Sequence, residues 1–183
     1  ITISSLETDA TRAVTLTKDG SAVGSVTDVA SYATYMSTAT DGVYVVSVVD
    51  TDKANNASAA GTLTFTLDKT VPATPNAALT TDSTNGGSGF GSDAITKSGA
   101  ITAPTNVESG AIVEYRVTKD GGTPSSWSTT YTAPLTDGTV DGSYVVDVRQ
   151  TDKAGNISNV ETITYTLDTT AANAPTVTLT TDS

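Results

Sequence analysis

The chain has 183 residues, nine Lys and Arg against twenty Asp and Glu, a formal charge of −11, and neither histidine nor cysteine. An acidic surface of this kind repels phosphate backbones and anionic headgroups and attracts cations; the missing residue types exclude disulfides, Cys-based metal sites, thiol nucleophiles and histidine-dependent triads. No apolar run is long enough to span a bilayer, and residues 1–10, ITISSLETDA, show no basic and apolar leader pattern, so any targeting signal is expected elsewhere.

Thr, Ser, Val, Ala and Gly dominate, and Leu and Met are scarce. That balance predicts many short strands and little helix. In chain order, residues 15–20 (TLTKDG) end a strand in a turn, and residues 44–50 (YVVSVVD) run into a polar tip. Leu63, Phe65 and Leu67 then alternate with threonines. Ala77 and Leu79 open a further strand, another includes Ile101, and Val113, Tyr115 and Val117 give the next. Tyr131, Ala133 and Leu135 predict a strand too. Tyr144, Val146 and Val148 face one way while Val145, Asp147 and Arg149 face the other; beyond a tip at residues 153–156, Ile163, Tyr165 and Leu167 close the series. Period-2 alternation marks half-buried strands. Six or seven of them in about 100 residues, with turn signals KDGG, DGTVDG and DKAGN, predict an all-β fold of immunoglobulin-like Greek-key β-sandwiches.

Residues 41–83 align without a gap on residues 141–183, with 24 of 43 positions identical. Upstream, TLTKDG matches RVTKDG (residues 116–121) at an offset of 101. A period near 100 suits tandem small domains, each with its own core, rather than a solenoid. The expected division is an N-terminally incomplete repeat at 1–68, a complete one at 69–168, and a linker with the first strand of a following repeat at 169–183.

The run DGSYVVDVRQTDKAGNIS (residues 141–158), followed by TYTLDTTAANAP (residues 164–175), resembles the bacterial Ig-like repeats of giant secreted adhesins of the RTX type. EYRVTKDGGTPSSWS (residues 114–128) is similar to a further element of those repeats. The resemblance covers essentially the whole chain. It implies an extender region on the bacterial cell surface: a stalk stiffened by Ca2+ at domain junctions, holding a distal binding domain away from the cell and supporting adhesion and biofilm formation. The first repeat departs from the pattern, with Asn55 in place of Gly155 and DKTVPATP in place of DTTAANAP.

Ca2+ takes six to eight hard oxygen ligands. Under the expected topology, the junction after residue 68 gathers Asp68, Glu108, Asp152 and Asn156 as candidate ligands. A downstream junction would use Asp168 with Asp82 and Asp93, which flank a Gly/Ser-rich loop. The competing reading of Asp152 and Asn156 is that they cap their own turn; for Asp68 and Asp168 it is a solvated strand end. Asp120 and Asp137 read as turn formers. Trp127 is matched by Val26 in the first repeat and is therefore expected to fill space.

No enzyme is expected, since acids recurring at turns and strand ends do not form a carboxylate pair across a cleft. The alternative function is a module binding a glycan or protein, which needs an exposed aromatic cluster. The expected partners are neighbouring repeats of the same chain, with neither nucleic acid nor membrane insertion. Head-to-tail self-association is also expected, the C-terminal strand of one molecule pairing with an open edge of another.

Overall fold

The computed structural model of the chain describes residues 1–82 and 93–179. They fall into two compact units, Ile1–Thr70 and Val71–Ser183. Each is mostly β-sheet, consistent with an all-β sandwich.

Unit 1 contains β1 (Thr11–Lys18), β2 (Ser21–Ala22), α1 (Val29–Thr38), β3 (Gly42–Thr51) and β4 (Gly61–Leu67), with sheet order β2-β1-β3-β4. All neighbours are antiparallel. The β1–β2 hairpin turns on Asp19 and Gly20, both at positive φ (49° and 79°). That is the two-residue Asp-Gly turn whose twist matches the flanking strands. The inner face buries Val14, Leu16, Tyr44 and Val46, with Val26, Tyr32 and Ala39 completing the core.

Unit 2 contains β5 (Ile95–Thr96), β6 (Ile112–Lys119), β7 (Gly142–Thr151) and β8 (Glu161–Leu167), in the order β5-β8-β7-β6. β5 runs parallel to β8 and the other pairs are antiparallel. As the alternation predicts, Tyr144, Val146, Val148, Ile163, Tyr165 and Leu167 form the core. A second layer closes it: residues 76–80 pair with 100–105 through the Asn76–Thr105 and Leu79–Ile101 bridges, and Ala77 is buried. Tyr144 stacks on Tyr165 with centroids 5.4 Å apart, as Tyr44 does on Phe65 at 5.5 Å.

Little helix was expected, and the described residues hold one short helix, the ten-residue α1 of unit 1. Its N-cap is Asp28, whose carboxylate accepts from Ser31 N at 2.7 Å while Ser31 Oγ accepts from Asp28 N at 3.0 Å. This reciprocal capping box satisfies donors that a helix start leaves open, and the helix buries Tyr32. The equivalent stretch of unit 2 carries Pro134 and Gly138, which oppose a helix. One expectation is corrected in that same stretch, because Tyr131, Ala133 and Leu135 form no strand. Tyr131 lays its ring 5.7 Å from Tyr115 and donates its hydroxyl to Gly99 O, while Leu135 is 63% exposed. The alternation there records one anchoring aromatic rather than a strand.

Candidate functional site

The β7–β8 connection is closed by its own side chains. Asp152 N donates to Asn156 O at 3.0 Å. Asp152 Oδ1 accepts from Ala154 N and Asn156 N, each at 2.8 Å, and Oδ2 accepts from Asn156 Nδ2 at 2.8 Å. Burial pushes the Asp152 carboxyl up, but the Asn156 side chain and the converging N–H groups outweigh it and hold it below its ordinary range. Gly155 turns the chain at φ 94°. Asp52 and Asn56 repeat the arrangement in unit 1, also at 2.8 Å, with Asn55 at φ 69° doing the work of the glycine. The Asn56 side chain is the main reason the Asp52 carboxyl lies low.

The Glu108 loop lies beside the unit 2 tip. Its connection runs through Gln150, fully buried at the end of β7. Gln150 Oε1 accepts from Glu108 N at 2.8 Å, and its Nε2 donates to Ala73 O at 2.6 Å and Asn106 O at 3.0 Å. One amide thus ties the incoming segment, the Glu108 loop and the hairpin together. Across the same loop lies Lys153, against which a Cβ on Gly110 would collide. Unit 1 repeats this grouping too: Glu7, Asp50, Asp52 and Asn56 line one open cleft with Ser5 and Ser58. In place of the buried glutamine, Asp50 makes a two-pronged ion pair with Arg12, both bonds at 2.7 Å. Glu7 is the counterpart of Glu108 at the offset of 101, so both it and Gln150 were within reach of the repeat alignment.

Asp68 belongs to unit 1, while Glu108, Asp152 and Asn156 belong to unit 2. Asp68 Oδ1 accepts from Thr70 N at 3.0 Å, as Asp168 Oδ1 does from Thr170 N at 3.1 Å. The residues after each are locked back onto the sheet by an aspartate that sequence reasoning did not single out. Asp41 accepts from Lys69 N at 2.7 Å and from the Thr70 hydroxyl. Asp141 accepts from the Thr169 and Thr170 hydroxyls at 2.7 and 2.8 Å. Hydroxyl donation, from Thr70 to Asp41 and from Thr169 to Asp141, is the largest cause holding these carboxyls below their usual range.

At the other end of unit 2, Asp82 and Asp93 are brought together at the base of the loop they flank. Asp82 Oδ2 accepts from Ala94 N at 3.4 Å, and Asp93 Oδ1 accepts from Ile95 N at 3.1 Å. The loop itself, residues 83–92, lies outside the described residues. Asp168 follows the end of β8, its N–H donating to Thr96 O at 2.9 Å, and Thr96 Oγ1 donates to Thr81 O at 2.7 Å.

Trp127 does not fill the core. Ser128 pairs with Tyr115 through bonds of 2.9 and 2.7 Å, and Trp127 lies on the outer face between Arg149 (4.1 Å) and Arg116 (4.7 Å). Both cations are held in turn, Arg116 by Asp147 at 2.6 Å and Arg149 by Glu114 at 2.9 Å. Val26, its counterpart, is a core residue of unit 1. The two positions share a backbone register while their side chains serve opposite faces.

Asp120 and Asp137 act in turns. Asp120 Oδ1 accepts from Ser143 N at 2.9 Å, and a Cβ on Gly142 would stand 2.5 Å from that oxygen, so the close approach requires glycine. Asp137 Oδ1 accepts from Thr139 N at 3.0 Å.

Among the described residues, no group of three or more acidic side chains is gathered tightly enough to hold an ion unaided. The tips offer carboxylate and amide oxygens, the ligand type that a hard cation takes. No helix among the described residues is long and apolar enough to cross a membrane. No family model matches the chain, and no curated protein matches it.

Proposed function

We propose that the chain is a non-enzymatic spacer from a bacterial surface adhesin of the RTX type, built of tandem Ig-like Greek-key repeats and rigidified by Ca2+ where successive repeats meet. The observation that carries this reading is the recurrence of one oxygen-rich end. Glu7, Asp52 and Asn56 in unit 1 line a single cleft, and Glu108, Asp152 and Asn156 in unit 2 are brought to one end by Gln150 and the tip bonds. Each set supplies fewer oxygens than the six to eight that Ca2+ takes, so a neighbouring strand end such as Asp68 supplies the remainder, with Asp82, Asp93 and Asp168 serving the far end. The Ig-like assignment draws support from Tyr44 and Tyr144, whose hydroxyls donate four residues upstream to Thr40 O (2.6 Å) and Val140 O (2.7 Å). Such a corner is a hallmark of that sandwich.

Two carboxylates about 4 Å apart repel by roughly 1 kcal/mol in water and roughly 4 kcal/mol at an intermediate effective dielectric; a divalent ion reverses the sign. Extracellular calcium modules bind at about 10⁻⁴–10⁻³ M, and ligand at 100 times the dissociation constant adds about 2.7 kcal/mol to the bound state. That suffices to convert a loose joint into a stiff one. The reading places the protein outside the cell, where calcium reaches this range. Small-angle scattering is the test: the maximum dimension should lengthen and sharpen between chelator and millimolar Ca2+, and an unchanged profile would refute the stiffening. The alternative, a glycan- or protein-binding module, would draw on an aromatic such as Trp127, whose ring is already stacked between Arg149 and Arg116.

A further inference from the structure

The inner face of the unit 1 sheet buries Val14, Leu16, Tyr44 and Val46, so the alternate positions of β1, β3 and β4 point outward. Register sets these in rows across the sheet. Thr15, Ser47 and Thr62 form one row, and Ala22, Thr17, Val45 and Thr64 form the next. Among the described residues, every outward position of the three strands between Thr11 and Thr66 is Thr, Ser, Val or Ala. Thr15, Thr62 and Thr64 are exposed, and Val43 is 45% exposed.

Unit 2 closes the matching face with its own side chains. Where unit 1 has Ala13, Thr15, Ser47 and Val49, unit 2 has Glu114, Arg116, Asp147 and Arg149, at offsets of 101 and 100. Those four pair as ions, Arg116 with Asp147 at 2.6 Å and Arg149 with Glu114 at 2.9 Å. The Trp127 ring lies over both arginines, at 4.7 and 4.1 Å. Its counterpart Val26 is part of the unit 1 core, so it lends the outer face no cover. A chain of net charge −11 thus keeps one uncharged sheet face.

The chemistry of that face selects what can sit on it. Without charge it offers no attraction to a basic or an acidic partner. Each Thr or Ser hydroxyl both donates and accepts, so a face of hydroxyls and methyls is complementary to itself. Two acidic copies repel wherever their charged surfaces meet, and here they meet without that cost. Val and Thr are stiff at χ1, so docking freezes little of the side-chain motion that opposes association. Strand spacing and rise give the face roughly 15 by 25 Å, on the order of 400 Å² per copy. A stable complex buries about 800 Å² on each partner, so the contact is a weak one.

We infer that the outer face of unit 1 docks against the same face of a second copy of this chain, sheet on sheet, with Val45 and Ser47 at the centre of the contact. Twisted sheets pack this way with strand directions about 30° apart. The contact is isologous and closes at two copies. It uses no calcium and goes beyond the spacer reading.

Sedimentation equilibrium of the 183-residue chain in chelator tests it. The weight-average mass is expected to rise from the 18.5 kDa of the monomer towards twice that value as concentration approaches about 1 mM, the regime expected of so small a contact. Added salt should strengthen the association, because it screens the repulsion between two acidic copies. Thr15→Glu with Thr64→Glu, both at exposed positions, should hold the chain at the monomer mass. Mixed with a Thr15→Lys, Thr64→Lys variant it should form a complex of one of each, which a misfolded variant could not do. Thr164→Glu with Thr166→Glu places the same charge on the outer face of unit 2 and should leave the association unchanged. A parent chain that stays monomeric overturns the inference. So does association that survives the Thr15 and Thr64 substitutions, association lost equally to those at Thr164 and Thr166, or a mass that climbs past the dimer. A monomeric chain that binds immobilised glycans through Thr15 and Thr64 would mean that a sugar covers the face, and the second copy would be wrong.

Discussion

Gln150 shows how much a single side chain can hold. Its position continues the inward alternation of Tyr144, Val146 and Val148, so a polar residue there is buried and must be satisfied on every side. It is: three backbone groups from two remote segments meet its amide. Replacing it by Leu keeps the volume but strands Ala73 O, Asn106 O and Glu108 N, and each unpaired buried group costs about 1–3 kcal/mol. Gln150→Leu is therefore expected to lower the unfolding free energy of unit 2 by at least about 1–3 kcal/mol, read from the shift of its urea midpoint, and to raise amide exchange at Glu108. A loss confined to a few tenths of a kcal/mol would show that water replaces the amide. The residue was legible only as a difference between repeats, Asp50 against Gln150; its partners are remote in sequence and no local pattern names them. The aspartates at 52 and 152 were legible as turn formers and as candidate ligands alike, since the same short acceptor serves both.

Among the elements, strands were read well wherever alternation was long and uninterrupted, as in β3, β4, β7 and β8. The misreadings fall where a few apolar residues sit among turn formers. Tyr131, Ala133 and Leu135 alternate, yet Pro134 lacks a ladder donor and the Tyr131 hydroxyl finds a carbonyl of its own. The helix α1 was not placed although its capping box, Asp28 with Ser31, begins it in sequence; the aligned stretch of unit 2, with Pro134 and Gly138, builds no helix. Replacing the cap tests how far α1 depends on it. Asp28→Ala is expected to destabilise unit 1 by about 1 kcal/mol and to reduce the helical far-ultraviolet signal, with unit 2 unaffected. Trp127 belongs at this scale too: it clamps β6 to β7 across paired arginines, a role that its valine counterpart could not suggest.

For the whole molecule, the two units share a sheet plan but not a degree of closure. Val148, Ile163 and Leu167 are buried in unit 2, whereas Val48, Leu63 and Leu67 are only partly covered in unit 1. Less apolar area withdrawn from water means less stabilisation, so unit 1 should melt first. Calorimetry of the dilute chain is expected to show two transitions, and Trp127 fluorescence, the chain having a single tryptophan, should report only the upper one. A single transition seen by both probes would mean that the units unfold together. By itself the amino-acid order determined the repeat, its period, the alternating strands, the Asp-Gly turns and the acidity of the tips, because each depends on near neighbours or on self-similarity along the chain. Tertiary structure alone decided that Gln150 is the knot, that Asp41 and Asp141 lock the strand ends, and that Trp127 faces outward. These outcomes rest on which distant segments come within hydrogen-bonding or stacking distance, and spacing along a chain does not encode that distance.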